Sequence, residues 1–156
     1  MQRIFYQDIP EGLFDRLMEL EKFINSSTLE TPLLELLRLR VAQRNGCAYC
    51  VDMHHKELRH LGESELRLSS LSIWEATPYF TEKERAVLRF TDALTTGGDR
   101  PLDDGVYQPL TAHFSKAEIC FLTLAISQIN SWTFLMKTFK FEPGNYQVNQ
   151  YAEQVD

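Results

Sequence analysis

Apolar residues recur at helical spacing along most of the chain, and strand-like alternation is nearly absent. In "IPEGLFDRLMELEKFINSS", Leu13, Leu17, Leu20 and Ile24 stand three or four apart and predict a first helix. "TPLLELLRLRVAQRNG" predicts a second, with Thr31 as cap, Pro32 at the first helical position and Asn45-Gly46 as the stop. A third helix opens at "CAYCVDMHH" and runs to about Leu61, with Gly62 as terminator. "ESELRLSSLSIWEA" predicts a shorter fourth, closed before Pro78. "TEKERAVLRFTDALTTGG" starts with Thr81 and Glu84 in capping-box spacing and ends at a glycine pair. "LDDGVYQPLTAHF" carries a weaker signal, broken by Gly105 and Pro109. The last segment, "SKAEICFLTLAISQINSWTFLMKTF", opens with a second capping box, Ser115 and Glu118. Seven helices with short connections predict an all-α bundle. After Pro143 the chain is polar and reads as an extended or partly disordered tail, residues 143–156.

The last helix is apolar on nearly every face and long enough to suggest a membrane span. It nevertheless carries Glu118, Gln128 and Asn130, which are costly in hydrocarbon, so we read it as a buried helix of a soluble protein. More apolar surface than a small monomer covers also fits contacts between subunits. Cys120, among Ile119, Phe121 and Leu122, reads as a small core filler. Gln128 and Asn130 read as hydrogen-bonding groups between helices, and Trp74, Phe80, Trp132 and Phe134 as packing residues.

Composition narrows the function classes. The chain has 156 residues, 44% hydrophobic and 24% charged, with a formal net charge of -6. That is the balance of one globular domain, 1–156, and no stretch is basic enough for nucleic acid or an anionic membrane surface. The N-terminal "MQRIFYQDIPEGLF" lacks the apolar centre of a secretory signal. Three cysteines without such a signal point to a reducing, cytoplasmic location rather than a secreted disulfide scaffold.

The chemistry gathers in "NGCAYCVDMHH". Cys47 and Cys50, three apart on a helix, share a face and can form a disulfide. Gly46 just before them places the pair at the helix N-terminus, where unpaired N–H groups and the dipole favour a thiolate. His54 lies one turn beyond Cys50 on the same stripe and can exchange a proton with its sulfur. If the second and third helices pack antiparallel, Glu35 lies roughly 15 Å back from the turn and His54 roughly 12 Å beyond it, nearly level. Surrounded by leucines, Glu35 is expected to be partly buried with a raised pKa. The bland alternative is a solvated Glu35 paired with Arg38. His55, one residue off the stripe, reads as a surface side chain. Two other chemistries stay open from the residues alone: zinc held by Cys47, Cys50 and His54 with His55 or Glu35, or a disulfide that senses redox state without turnover.

The segment 35–54, "ELLRLRVAQRNGCAYCVDMH", resembles the core signature of the AhpD-like alkylhydroperoxidases in the carboxymuconolactone decarboxylase superfamily. That signature is a glutamate, eleven residues, a Cys-x-x-Cys, three residues and a histidine, and all four positions match. The resemblance extends over roughly residues 10–140, and the stretch after the cluster is similar to the shorter, peroxidase-related members. It implies an all-α, AhpD-like bundle assembled as a trimer or hexamer, with no cofactor and no metal. It implies Cys50 as the thiolate that attacks a hydroperoxide, Cys47 as the resolving thiol, and His54 with Glu35 as the proton relay. An external dithiol of unassigned identity would reduce the pair, and nothing in the short form implies a peroxiredoxin partner. Tyr49 stands where some members have a histidine, which removes one relay group. Decarboxylase members lack the cysteine pair, so the resemblance implies a redox protein.

Overall fold

The computed structural model describes residues 1–98 and 100–148. Its helices are α1 (Leu13–Asn25), α2 (Thr31–Arg44), α3 (Ala48–His60), α4 (Glu65–Ser70), α5 (Glu82–Thr96), α6 (Asp104–Thr111) and α7 (Lys116–Phe139). Short 3-10 turns span Tyr6–Asp8 and Leu71–Ala76, and there is no strand among the described residues. The all-α architecture expected from the helical periodicity is the one observed.

The bundle is organised around α2, which packs against α3, α5 and α7. Neighbours on several sides explain why ten consecutive residues, Leu33 to Ala42, are buried, three of them charged. One apolar layer joins α1, α2, α5, α6 and α7 through residues such as Ile24, Leu37, Phe90, Leu110 and Ile126. A second joins α2 to α3, α4, α5 and the Leu71–Ala76 turn through Leu36, Leu58, Leu68, Leu88 and Trp74. Each fully buried leucine or phenylalanine of this kind contributes about 1.5–3 kcal/mol of transfer free energy.

Both capping boxes form. The Thr81 and Ser115 hydroxyls accept from the Glu84 and Glu118 amides, and each glutamate reaches back to its cap's N–H. Gly46 joins α2 to α3 at φ +62°, a left-handed conformation that favours glycine. Asn45 pins this turn to α7, its side-chain amide donating to Asn130 Oδ1 at 2.7 Å and Thr133 Oγ1 at 2.8 Å. Gln128 likewise donates to Glu21 of α1 at 3.1 Å, so Gln128 and Asn130 both hydrogen-bond to other parts of the bundle.

Several expectations need correcting. Helix α2 begins one residue early: Glu30 is the cap and Thr31 is already helical. Pro32 fits there because the first amides of a helix have no intrahelical partner. The fourth predicted helix is two pieces, α4 and the 3-10 turn that follows it, and the turn is itself kinked at Ile73 (φ -124°, ψ 31°). Cys120 is exposed rather than core, and Phe134 is 59% exposed. They lie on the uncovered face of α7 with Thr123, Ser127, Ser131 and Thr138, so this helix is not apolar all round. Among the described residues α7 is long and apolar enough to cross a membrane by length and composition, with less than half of that window buried inside this chain.

The start of the tail is not loose. Tyr146 is buried, the Gly144 amide donates to Asp52 at 2.9 Å, and Lys56 donates to the Gly144 and Tyr146 carbonyls, each at 3.1 Å. An Asp–Lys pair one turn apart on α3 thus captures the backbone that a polar composition left free. Residues 149–156 of the predicted tail lie outside the described residues.

Candidate active site

Cys47 is the N-cap of α3, in extended conformation, and its sulfur accepts the Cys50 amide at 3.3 Å. The two cysteines form a disulfide, with Cα atoms 5.3 Å apart. The sharp Gly46 turn and the first turn of α3 together bring the sulfurs onto one face. Cys47 is 1% exposed and Cys50 3% exposed. They sit in an apolar cluster with Ala42, Met136 and Phe139, packed over by Ile4, Ile9, Phe14, Tyr49 and Phe141. The N-terminal arm and the segment after α7 close this layer, because the Arg3 amide donates to the Phe139 carbonyl at 2.8 Å. Tyr49 and Phe141 pack edge to face at 5.7 Å.

One turn along α3, His54 is buried as well, and its Nδ1 lies 2.7 Å from Glu35 Oε2 on α2. The level placement of these residues across the antiparallel pair is therefore observed. The alternative for Glu35 holds at the same time: its other oxygen, Oε1, accepts from Arg38 Nη1 at 2.7 Å. One carboxylate bridges an imidazole and a guanidinium. Arg38 is held in turn by Asn25, the last residue of α1, at 2.8 Å.

The electrostatic expectation for Glu35 was in the wrong direction. Burial pushes its pKa up, but the neighbouring His54 and Arg38, by charge and hydrogen bond, together outweigh it and lower the pKa from 4.5 to about 2. Glu35 is an anion at any working pH. It can fix the imidazole's orientation, but it does not take up a proton.

The remaining sequence candidates separate clearly. His55 is half-buried and faces Glu65, Nε2 to Oε2 3.5 Å, away from the Glu35 pairing. No group of three or more His, Cys, Asp or Glu side chains is arranged to hold a metal ion among the described residues. Arg38 escaped the reading as a site residue, although its position one turn after Glu35 carried the signal. Arg40 escaped it entirely: it is buried, with Nε and Nη2 on the two oxygens of Asp92, both at 2.7 Å. A partner 52 residues away leaves no mark in local spacing.

The family model for the carboxymuconolactone decarboxylase family matches residues 11–93, a span that contains Glu35, both cysteines of the pair and His54. The chain belongs to this family. It is 35% identical over 132 residues to the uncharacterized protein YdfG of Bacillus subtilis (strain 168), covering 84% of this chain and 89% of that one. A solved structure, ATU0492 from Agrobacterium tumefaciens, is 40% identical with a TM-score of 0.88, covering 94% of this chain and all of that one. It is a protein of unknown function, described as a candidate antioxidant defence protein AhpD. The debrominase Bmp8 has the same fold at 17% identity, with a TM-score of 0.76 over 86% of this chain and 72% of its own. A debrominase thus shares this fold, and the fold by itself does not assign a reaction, which has to be argued from the site.

Proposed function

We propose that this chain is a thiol peroxidase of the AhpD-like kind, reducing hydroperoxides through the Cys47–Cys50 pair. The observation that carries the reading is a dithiol/disulfide pair at a helix start, one turn from an imidazole held by a buried carboxylate. In the reduced protein, His54 takes the Cys50 proton, and the thiolate attacks the terminal peroxide oxygen. The O–O bond breaks as the S–O bond forms, and the leaving alkoxide recovers the proton from His54 and departs as alcohol. The Cys47 thiol then attacks the Cys50 sulfenic acid, closing the disulfide and releasing water. An external dithiol restores both thiols by two exchanges and is itself oxidised to a disulfide. Glu35 holds Nδ1 and so leaves Nε2 as the nitrogen for the sulfur.

The test is steady-state consumption of an organic hydroperoxide with a dithiol donor. Wild type turns over, and Cys50→Ser consumes essentially none. Full consumption by Cys50→Ser would defeat the role given to that residue, and no turnover by wild type would leave a redox sensor or interaction module.

One observation favours a second assignment. The sulfur that accepts a backbone N–H at the helix start is Cys47, not Cys50, and such a bond stabilises a thiolate. In that version Cys47 attacks and Cys50 resolves. We keep Cys50 as the attacking sulfur because His54 lies one turn beyond it.

The partners follow from the same reading: a hydroperoxide, a dithiol and further copies of this chain in a trimer or hexamer. The exposed face of α7 beside α1 supports self-association, since Phe134, Leu13, Leu17 and Leu135 line an open groove of about 580 Å³. Light scattering checks it: wild type is expected above monomer mass, and Phe134→Glu lowers that mass.

A further inference from the structure

Arg38 is 1% exposed, yet it has no part in the chemistry described so far. An arginine buried for stability alone tends to have every donor taken. Arg38 does not, because its Nε is buried without a partner among the described residues. Its other two nitrogens donate to Glu35 Oε1 at 2.7 Å and Asn25 Oδ1 at 2.8 Å. The carboxylate it contacts is the one whose second oxygen holds His54. Two potential cations therefore compete for one anion.

We propose that Arg38 is a positioning residue that lowers the proton affinity of His54 through the shared Glu35 carboxylate, keeping the imidazole neutral and able to accept a thiol proton. The purpose rests on the peroxidase reading; the physics does not. A carboxylate alone beside an imidazole favours the imidazolium, which would meet the thiol already protonated. The guanidinium on the other oxygen is charged at any working pH and opposes a second positive charge nearby. With Arg38, the buried trio is neutral when His54 is neutral and cationic when it is protonated. Without Arg38, protonation of His54 would instead neutralise a buried anion. Burial penalises net charge, so the guanidinium shifts the balance toward neutral imidazole.

Most other charged groups around α3 have partners of their own, and His60 at its end is exposed. On α2, Arg40 is taken by Asp92. On α3, Asp52 pairs with Lys56 and His55 with Glu65, while Cys50 and Cys47 precede His54 by one and two turns. On α7, Glu118 is held by Ser115 and Thr28, Lys137 donates to the Asn45 carbonyl, and Lys116 and Cys120 are exposed. In the segment after α7, Tyr146 bonds Glu57.

The experiment is an NMR titration of His54 in the oxidised protein, where the disulfide removes both thiols from the titration. It compares wild type with Arg38→Met, Arg38→Gln and Arg38→Lys. Glutamine retains hydrogen-bonding capacity without charge, so it covers the case in which the methionine variant does not fold. In the neutral variants the His54 midpoint should rise by about one pH unit or more, and in Arg38→Lys it should return toward wild type. Equal midpoints in all the proteins would overturn the proposal, and so would a rise in Arg38→Lys as large as in Arg38→Gln. No peroxide enters this assay, so failure of the peroxidase reading would not imitate either result. If turnover holds, the acid limb of the kcat profile moves to higher pH in Arg38→Gln.

Discussion

Arg38 and Arg40, two residues apart on α2, project to opposite sides of the helix and end in different kinds of network. Arg40 makes two bonds to Asp92 and donates to the Leu71 and Ser72 carbonyls, while Trp74 donates to Asp92 as well. Every nitrogen of that guanidinium is used, and the result ties α2 to α5 and to the 3-10 turn. The Arg38 network ends instead on an imidazole one turn from the Cys47–Cys50 pair, and it leaves one donor unmatched. A buried charge with all its partners fixes a fold; one that shares its anion with a titratable ring can also tune a proton. The same helix therefore carries a structural tie on one side and, on the function proposed above, the reacting site on the other.

Substitutions on the two sides should separate these roles. Arg40→Met leaves Asp92 without its main cation and is expected to cost about 3–5 kcal/mol, read by denaturant unfolding. Peroxide turnover per folded molecule should stay near wild type, and a large loss there would erase the division. Glu35→Gln is expected to cost about 3 kcal/mol, because Arg38 loses its counterion, and also to lower turnover sharply. Equal turnover in Glu35→Gln and wild type would remove the carboxylate from the chemistry.

Acid sharpens the contrast further. The folded pKa of Glu35 lies below its ordinary 4.5, so its contribution to stability is complete above about 4.5 and is lost as pH falls toward 2. That displacement is worth roughly 3 kcal/mol in all, and the stability slope it produces in that window should be absent from Glu35→Gln. A wild-type stability flat from pH 5 to 2 would contradict the pairing. The smallest effect is expected at Cys120→Ser: exposed on α7, it should change stability by less than about 0.5 kcal/mol and leave turnover intact.

Much of this was readable from residue order, and the failures have physical causes. Helical rise alone put Glu35 level with His54, because the Gly46 turn is tight and α2 and α3 are regular. Gly46 and the spacing of the cysteines likewise announced a helix start. The pKa direction failed because a run of leucines signals burial, whereas His54, which together with Arg38 reverses its effect, is brought to Glu35 only by packing. Cys120 reads as a core filler and Phe134 as a packing residue because an apolar helix does not reveal which face its neighbours leave uncovered. Tyr146 looked like tail because its anchor, the Asp52–Lys56 pair, lies about ninety residues earlier. The Arg40–Asp92 staple was invisible for the same reason of distance.

The most direct measurement of the central claim is trapping of the sulfenic acid. Reduced Cys47→Ser and Cys50→Ser proteins are each treated with one equivalent of organic hydroperoxide and a sulfenic-acid-specific nucleophile, and the adduct is located by mass spectrometry. The account predicts an adduct on Cys50 in the Cys47→Ser protein and none on Cys47 in the Cys50→Ser protein. An adduct on Cys47 alone would give the attacking role to the helix cap, and no adduct on either would contradict peroxide chemistry at this pair.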